Sequence, residues 1–127
     1  MAIVRVDYCR PLDNLQCQAL LTGINTTMQT VLGVPAGENY VISQLHEVDA
    51  ILHAPGDCPR ERRAELVFVQ ITLNQGRSPE LKQQFFRTLS AALAESTPFR
   101  PENIFINLVE VARENWSFGI TPPERQA

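Results

Sequence analysis

The sequence has 127 residues and lacks the features that mark several broad classes of protein. No apolar run approaches the roughly 20 residues that a membrane-spanning helix needs, so we predict no membrane partner. Lysine and arginine form no basic block and the formal net charge is −3, so we predict no nucleic-acid partner. The first ten residues, MAIVRVDYCR, contain no apolar signal segment followed by a cleavage site.

Cysteine is scarce, and its spacing fits neither a disulfide framework nor a zinc site. Cys9, Cys17 and Cys58 are odd in number and irregularly placed, which is typical of free thiols, and we expect a cytoplasmic protein. The segment 46–58, HEVDAILHAPGDC, has no ligand pair at zinc-like or helical spacing. Glycine-rich phosphate loops and the G-x-S-x-G elbow are absent as well, so we predict no metal and no cofactor.

Primary amines are also nearly absent. The chain has many arginines but only one lysine, Lys82. Lys82 and the amino terminus are therefore the two primary amines that could attack a carbonyl group.

What the sequence does contain is an internal duplication. Residues 38–48, ENYVISQLHEV, resemble residues 102–111, ENIFINLVEV. An amphipathic helix pattern precedes each of these segments, and a strand-like apolar run precedes each helix, at 3–7 and at 65–73. The pattern predicts two consecutive β-α-β units.

We predict an α/β (α+β) fold in a single domain, residues 1–127, with repeat halves at about 2–48 and 64–111. A helical crossover makes the two strands of each half parallel, so both helices can lie on one face of a four-stranded sheet. Strand–helix–strand, read twice, also describes a ferredoxin-like regulatory domain with an antiparallel sheet. Strand order separates these two architectures.

The predicted central strand, 65–73, is apolar on both of its faces. Val67 and Ile71 fall on one face, and Leu66 and Phe68 fall on the other. Two helices on one side of the sheet leave the second apolar face uncovered. The periodicity therefore predicts an oligomer.

Three predicted loops carry side chains suited to a small anionic ligand, and each has a plainer alternative. Arg77 lies in a strand-to-helix turn, where its planar fork suits a carboxylate or phosphate, unless it simply faces solvent. Trp116 and Phe118, in ENWSFG, either wall a small-molecule pocket or pack in the core or an interface. Glu38, after the turn GVPAG, either orients or deprotonates a ligand or is solvated.

Three motifs in order resemble the tautomerase superfamily: GVPAGENY at 33–40, GRSPELK at 76–82 and NWSFG at 115–119. With the duplicated β-α-β pattern, the chain is most similar to the malonate semialdehyde decarboxylase-like branch, which has the 4-oxalocrotonate tautomerase-type fold. It also resembles, to a lesser degree, the chloroacrylic acid dehalogenases. The resemblance runs from Ala2 to about Gly119.

The resemblance implies a homotrimer with a barrel-like assembly that acts on or binds a small keto or unsaturated carboxylic acid. The implied activity is that of a keto–enol tautomerase or of a malonate semialdehyde decarboxylase-like enzyme, with an amino-terminal proline as general acid or base. Arg77 matches a carboxylate-binding arginine of the family's catalytic site, and Glu38 falls at its acidic residue. Trp116 and Phe118 match aromatic pocket walls.

Two departures from the family pattern lower the activity that the resemblance implies. Ala2, native or engineered, stands where the family has its proline, so the catalytic amine is a primary amine that is free only if Met1 is removed. The family's second turn arginine is replaced here by Asn74 or Gln75, which we place among the substrate-binding residues. We therefore expect weak activity. The alternative is a non-catalytic trimeric protein that binds a small ligand, and retention of Met1 favours it.

Overall fold

The computed structural model describes residues 1–53 and 56–119, which form four strands, two long helices and one short helix. In chain order the elements are β1 (Ala2–Tyr8), α1 (Asn14–Thr30), β2 (Asn39–Leu45), α2 (Arg60–Arg63), β3 (Val67–Asn74), α3 (Pro79–Ser96) and β4 (Ile104–Val111). Short 3-10 turns lie at Val48–Ala50, Pro101–Asn103 and Arg113–Asn115.

The strands form one mixed sheet in the order β2-β1-β3-β4. β1 and β2 are parallel, and so are β3 and β4, while β1 and β3 pair antiparallel at the centre, where Val6 lies opposite Val69. A parallel pair needs a long crossover, which α1 and α3 supply. The predicted duplication of a β-α-β unit in a four-stranded sheet is confirmed, and the fully antiparallel alternative is wrong.

This topology brings four chain segments to one edge of the sheet. Ala2 lies opposite Asn39 in β2 and Leu73 in β3, and Asn74 lies opposite Val111 in β4. The amino-terminal ends of β1 and β2 therefore meet the carboxyl ends of β3 and β4. The loops at these four ends are close enough to share a site.

Helix α1 begins at a capping box, and a glycine follows its carboxyl end. The Asp13 side chain accepts a hydrogen bond from the Gln16 backbone N–H at 2.8 Å, and the Gln16 side chain accepts one from the Asp13 N–H at 2.9 Å. Asp13 is thus the N-cap of this helix. Gly33, with φ of 71°, adopts the left-handed conformation that turns the chain toward β2.

Helix α3 has Ser78 as its N-cap and begins at Pro79. The Ser78 hydroxyl accepts a hydrogen bond from the Leu81 N–H at 3.1 Å. The turn before it contains Gly76 with φ of 126°, a backbone conformation that residues other than glycine rarely adopt. Cap and glycine together fix the backbone on both sides of Arg77.

The core lies between the two long helices and one face of the sheet. Ile71 of β3, Ile24 of α1 and Phe85 of α3 are completely buried there. The helices approach closely at Gly23, where an added Cβ would lie 3.1 Å from Leu93 Cδ2. The second face of the sheet receives no helix from the described residues, and we call it the open face.

The open face carries apolar side chains, as the periodicity predicts. The rings of Phe68 and Phe105 stack there with centroids 5.4 Å apart. Phe105, on the outer strand β4, is 46% exposed, and Tyr40 and Ile42, on the opposite outer strand β2, are 60% and 47% exposed. Leu66 differs from the prediction: it precedes β3 and is buried, so it does not contribute to this face.

Candidate active site

The amino terminus lies against Glu38 at the edge where β1 and β2 both begin. The Ala2 backbone N–H donates a hydrogen bond to the Glu38 carbonyl oxygen at 2.9 Å, and the Ala2 side chain is buried. The Met1 amine lies 3.2 Å from Glu38 Oε2. An amine and a carboxylate at this distance form a pair between which a proton can move.

The turn between α1 and β2 places Glu38. The Glu38 N–H donates to the Pro35 carbonyl oxygen at 3.1 Å, and Gly37 has φ of 83°. Glu38 is the last residue before β2, which is parallel to β1. The carboxylate therefore stands beside the first residues of the chain because both strands start at the same edge.

A cleft of about 700 Å³ opens at this edge of the sheet. Its lining residues come from the chain terminus, the start of β2, the end of β3 and the turn that follows β4. They are Met1, Glu38, Asn74, Arg113, Glu114, Trp116 and Phe118. The volume lies within the range typical of small-molecule sites.

Two aromatic side chains form one wall of the cleft. The Trp116 indole N–H donates to Asn74 Oδ1 at 2.6 Å, which holds the ring against the end of β3. The rings of Trp116 and Phe118 stack with centroids 5.8 Å apart. The predicted aromatic residues thus lie in the cleft, although Phe118 is 61% exposed and part of its surface faces outward.

Arg77 binds backbone carbonyl groups and joins two turns. Its Nε and Nη2 donate to the Leu32 carbonyl oxygen at 3.2 and 2.9 Å, and its Nη1 donates to the Asn74 carbonyl oxygen at 2.9 Å. Arg77 is not among the residues that line the cleft. Its role as a carboxylate ligand stays a prediction, and the structure adds a second role in which it ties the end of α1 to the end of β3.

Of the other sequence candidates, Asn74 reaches the cleft and Gln75 does not. The Gln75 backbone N–H donates to the Val111 carbonyl oxygen at 3.0 Å, and its side chain is exposed outside the cleft lining. Ala2 contributes only backbone at this edge while Met1 is present. Its assignment as the catalytic amine depends on removal of Met1.

Sequence reasoning missed Arg113 and Glu114. They belong to a 3-10 turn of three residues, and a segment this short produces no recognisable hydrophobic pattern in the sequence. A signal was present in the topology: β4 runs parallel to β3, so the residues after Val111 must emerge at the same edge as Asn74. The position of a charged pair just beyond that strand end could have identified them.

Lys82 does not line the cleft and is paired with a carboxylate elsewhere. Its ammonium group forms an ion pair with the Glu110 carboxylate. The hydrogen bond from Lys82 lowers the pKa of Glu110, and Lys82 and Arg77 also lower it through their charges. Of the two primary amines in the sequence, the amino terminus is thus the one that lines the cleft.

Residues 1–53 and 56–119 contain no group of three or more histidine, cysteine, aspartate or glutamate side chains arranged to hold a metal ion. None of the helices described is both long enough and apolar enough to cross a membrane.

Known proteins share this fold and identify the family of the chain. The sequence model of Tautomerase_2, described as "Tautomerase enzyme", matches residues 37–119. The probable tautomerase YusQ of Bacillus subtilis (strain 168) is 28% identical over 102 residues, which cover 80% of each chain. The structure of FG41 malonate semialdehyde decarboxylase inhibited by 3-bromopropiolate has a TM-score of 0.79 at 24% identity, covering 94% of this chain and 91% of that one. A fused 4-OT wild-type symmetric trimer has a TM-score of 0.78 at 19% identity, covering 92% and 91%.

Proposed function

Because this chain belongs to the Tautomerase_2 family of tautomerase enzymes, we propose that it catalyses keto–enol tautomerisation of a small keto or unsaturated carboxylic acid. The reaction moves a proton between a carbon next to a carbonyl group and the carbonyl oxygen. It needs a base and an acid within hydrogen-bond reach of those atoms. No cofactor takes part in the proposed step.

One observation carries the proposal: the terminal amine lies 3.2 Å from the Glu38 carboxylate at the cleft that Trp116 and Asn74 enclose. The neutral amine accepts the proton from carbon, and Glu38 stabilises the resulting ammonium ion. The indole of Trp116 excludes water from one side of the substrate. The same amine then returns the proton at the other position.

We propose that the active form has lost Met1. The Ala2 nitrogen, 2.9 Å from the Glu38 carbonyl oxygen, then becomes the terminal amine and stays beside Glu38. A primary amine on a flexible residue is less well positioned than a ring nitrogen, so we expect activity to be weak. Catalysis with Met1 in place would use an amine one residue further from the strand.

The same cleft suits a malonate semialdehyde decarboxylase-like reaction, which is a finer form of the proposal. That reaction also acts on a small acid, in which a carbonyl group β to the carboxylate accepts the electron pair left when CO2 departs. Support comes from the fold shared with FG41 malonate semialdehyde decarboxylase. Comparing product formation from a β-keto acid with enol ketonisation distinguishes the two activities.

A second candidate is a non-catalytic protein that binds a small carboxylate. The observation that favours it is Ala2, because this residue offers no ring amine, and with Met1 retained its nitrogen is a peptide N–H. Either function suits the homotrimer that we propose from the open face and from the trimeric 4-OT neighbours.

The test is ketonisation of phenylenolpyruvate followed by ultraviolet absorbance, with the intact mass of the protein recorded to establish whether Met1 is present. We expect the protein without Met1 to exceed the buffer rate and Glu38→Gln to lose about 10²-fold or more of that excess. The control is Glu61→Gln, an exposed carboxylate on α2, which should behave as the wild type. A processed protein that accelerates none of several enolic acids is the non-catalytic binder.

A further inference from the structure

A carboxylate ligand in the cleft needs a cation that is not already neutralised. The Met1 amine is paired with Glu38 at 3.2 Å, so these two groups together present little net charge to the ligand. Asn74 is neutral, and its side-chain oxygen accepts from the Trp116 indole. The ligand's negative charge therefore requires a further positive group at this edge.

The arginines of the described residues differ in how their guanidinium groups are used. Three N–H groups of Arg77 donate hydrogen bonds to the carbonyl oxygens of Leu32 and Asn74. Six others have protein partners, and these are Arg5, Arg10, Arg60, Arg62, Arg63 and Arg100. Within residues 1–53 and 56–119, only Arg87 and Arg113 have no hydrogen-bond or ion-pair partner. Of these two, Arg113 lines the cleft.

The backbone that carries Arg113 is fixed against the aromatic wall. Arg113 is the first residue of the 3-10 turn after β4, and the backbone N–H of Trp116 donates to the Arg113 carbonyl oxygen at 3.3 Å. Trp116 is itself held by Asn74 at 2.6 Å. The long side chain of Arg113 thus extends from a fixed base at the mouth of the cleft, with its planar fork free to meet a carboxylate.

We infer that Arg113 binds the carboxylate of the ligand and determines the specificity of the cleft for carboxylic acids. For the class of ligand, this inference rests on the proposed function. With the carboxylate on Arg113, the carbonyl end of the ligand points toward the terminal amine and Glu38. Arg77 then acts as the residue that holds the two turns in place.

Glu114 sets a second condition on the ligand. Its side chain also lines the cleft, next to Arg113, yet the two form no ion pair within the described part of the chain. One ligand carboxylate is attracted by Arg113, whereas a second carboxylate would lie near Glu114 and Glu38 and be repelled. The cleft therefore prefers monocarboxylates to dicarboxylates.

Binding can be measured without turnover, because Trp116 is the single tryptophan and lines the cleft. The probes are 3-phenylpropionate, the uncharged 3-phenylpropionamide and the dicarboxylate benzylmalonate, titrated against tryptophan fluorescence of the full chain. For 3-phenylpropionate we expect Arg113→Gln to raise Kd about 10- to 100-fold and Arg113→Lys to recover part of the loss. The amide should bind wild type and Arg113→Gln alike.

The controls separate this inference from its rivals. Arg87→Gln should match the wild type, since Arg87 is exposed on α3 away from the cleft lining. Glu114→Gln should bring benzylmalonate closer to 3-phenylpropionate in affinity. The inference is overturned if Arg113→Gln keeps wild-type affinity, if folded Arg77→Gln alone loses it, or if the wild type does not prefer the acid to the amide. Failure of the proposed function looks different: the carboxylate preference still disappears in Arg113→Gln, but no enolic acid is converted.

Discussion

At the scale of single residues, Arg77 shows how an expected ligand-binding group can also hold the fold. Its three hydrogen bonds to the Leu32 and Asn74 carbonyl oxygens connect the chain before β2 with the end of β3. Both of these segments carry cleft residues. The loss of Arg77 should therefore act on the cleft through the backbone, in addition to any contact with a ligand.

We predict that Arg77→Ala lowers the free energy of unfolding by about 2 kcal/mol, because two carbonyl groups lose charge-assisted hydrogen bonds. Urea denaturation measures the change. Arg87→Ala is the matched control and should change stability little, since the Arg87 guanidinium has no partner among the described residues. Equal stability of Arg77→Ala and wild type would show that the three bonds contribute nothing net.

The amine at the chain terminus allows a direct test of the catalytic proposal. With Met1 removed, Ala2→Pro should raise tautomerase activity at least about tenfold, a barrier change of about 1.4 kcal/mol, because the ring holds the nitrogen in position. The measurement is the kcat/KM for phenylenolpyruvate, with intact mass as proof of processing. Adding Glu38→Gln should remove most of the gain. A folded, processed Ala2→Pro protein that stays inert on several keto acids would favour the binding function.

The cysteines should differ in reactivity because their surroundings differ. Burial raises the pKa of the Cys9 thiol, and the neighbouring Glu47 carboxylate raises it further. Cys17 is exposed and Cys58 is buried. At pH 8 we expect iodoacetamide to label Cys17 first, with labelling of Cys9 gaining as the pH rises. Peptide mass spectrometry over time measures the order, and faster labelling of Cys9 than of Cys17 at pH 8 would contradict it.

At the scale of helices and strands, the capping box stabilises the start of α1, at the end of the sheet opposite the cleft. Asp13→Ala removes one half of the capping box of α1 and should cost about 1 kcal/mol. Thermal unfolding monitored by circular dichroism measures the loss. Asp13→Asn keeps an acceptor and is the matched variant, which should retain most of the stability. A loss as large in Asp13→Asn as in Asp13→Ala would mean that the side-chain acceptor is not the cause.

Much of the fold could be predicted from the sequence because its elements are long and periodic. The alternation in β3 and the helical spacing in α1 and α3 predicted the two β-α-β units. The apolar open face was predicted correctly from Phe68, but Leu66 does not belong to it, because β3 begins at Val67, two residues after the predicted start. Periodicity assigns faces well and strand ends poorly.

The cleft could be predicted only in part, because its residues meet through topology. Glu38 and Trp116 were found by their motifs, whereas Arg113 lies in a turn with no periodicity of its own. The hydrogen bonds of Arg77 to Leu32 and Asn74 join turns 45 and three positions away in sequence, and no local pattern encodes the longer of these contacts. Side-chain partners of this kind require the assembled sheet.

At the scale of the whole molecule, the open face predicts how copies of the chain associate. We expect a trimer of about 43 kDa in solution, from chains of 14.3 kDa, measured by sedimentation velocity. Phe68→Glu should dissociate or unfold it, because Phe68 stacks on Phe105 on that face and a buried charge would be unpaired. Leu15→Glu is the control, since Leu15 is 76% exposed on α1 and should leave the assembly intact. A stable monomer at micromolar concentration would refute the trimer.

The two halves of the duplication differ in the partner of one matching glutamate. Glu102 holds the position in the second half that Glu38 holds in the first, as the segments ENYVISQLHEV and ENIFINLVEV show. Glu38 meets a chain terminus, whereas Glu102 pairs with Arg100 at 3.1 Å, because β3 continues an unbroken chain and offers no free amine. In the proposed function, proton transfer therefore uses the Glu38 copy of this segment alone. Substitutions of Glu102 should leave that chemistry unchanged.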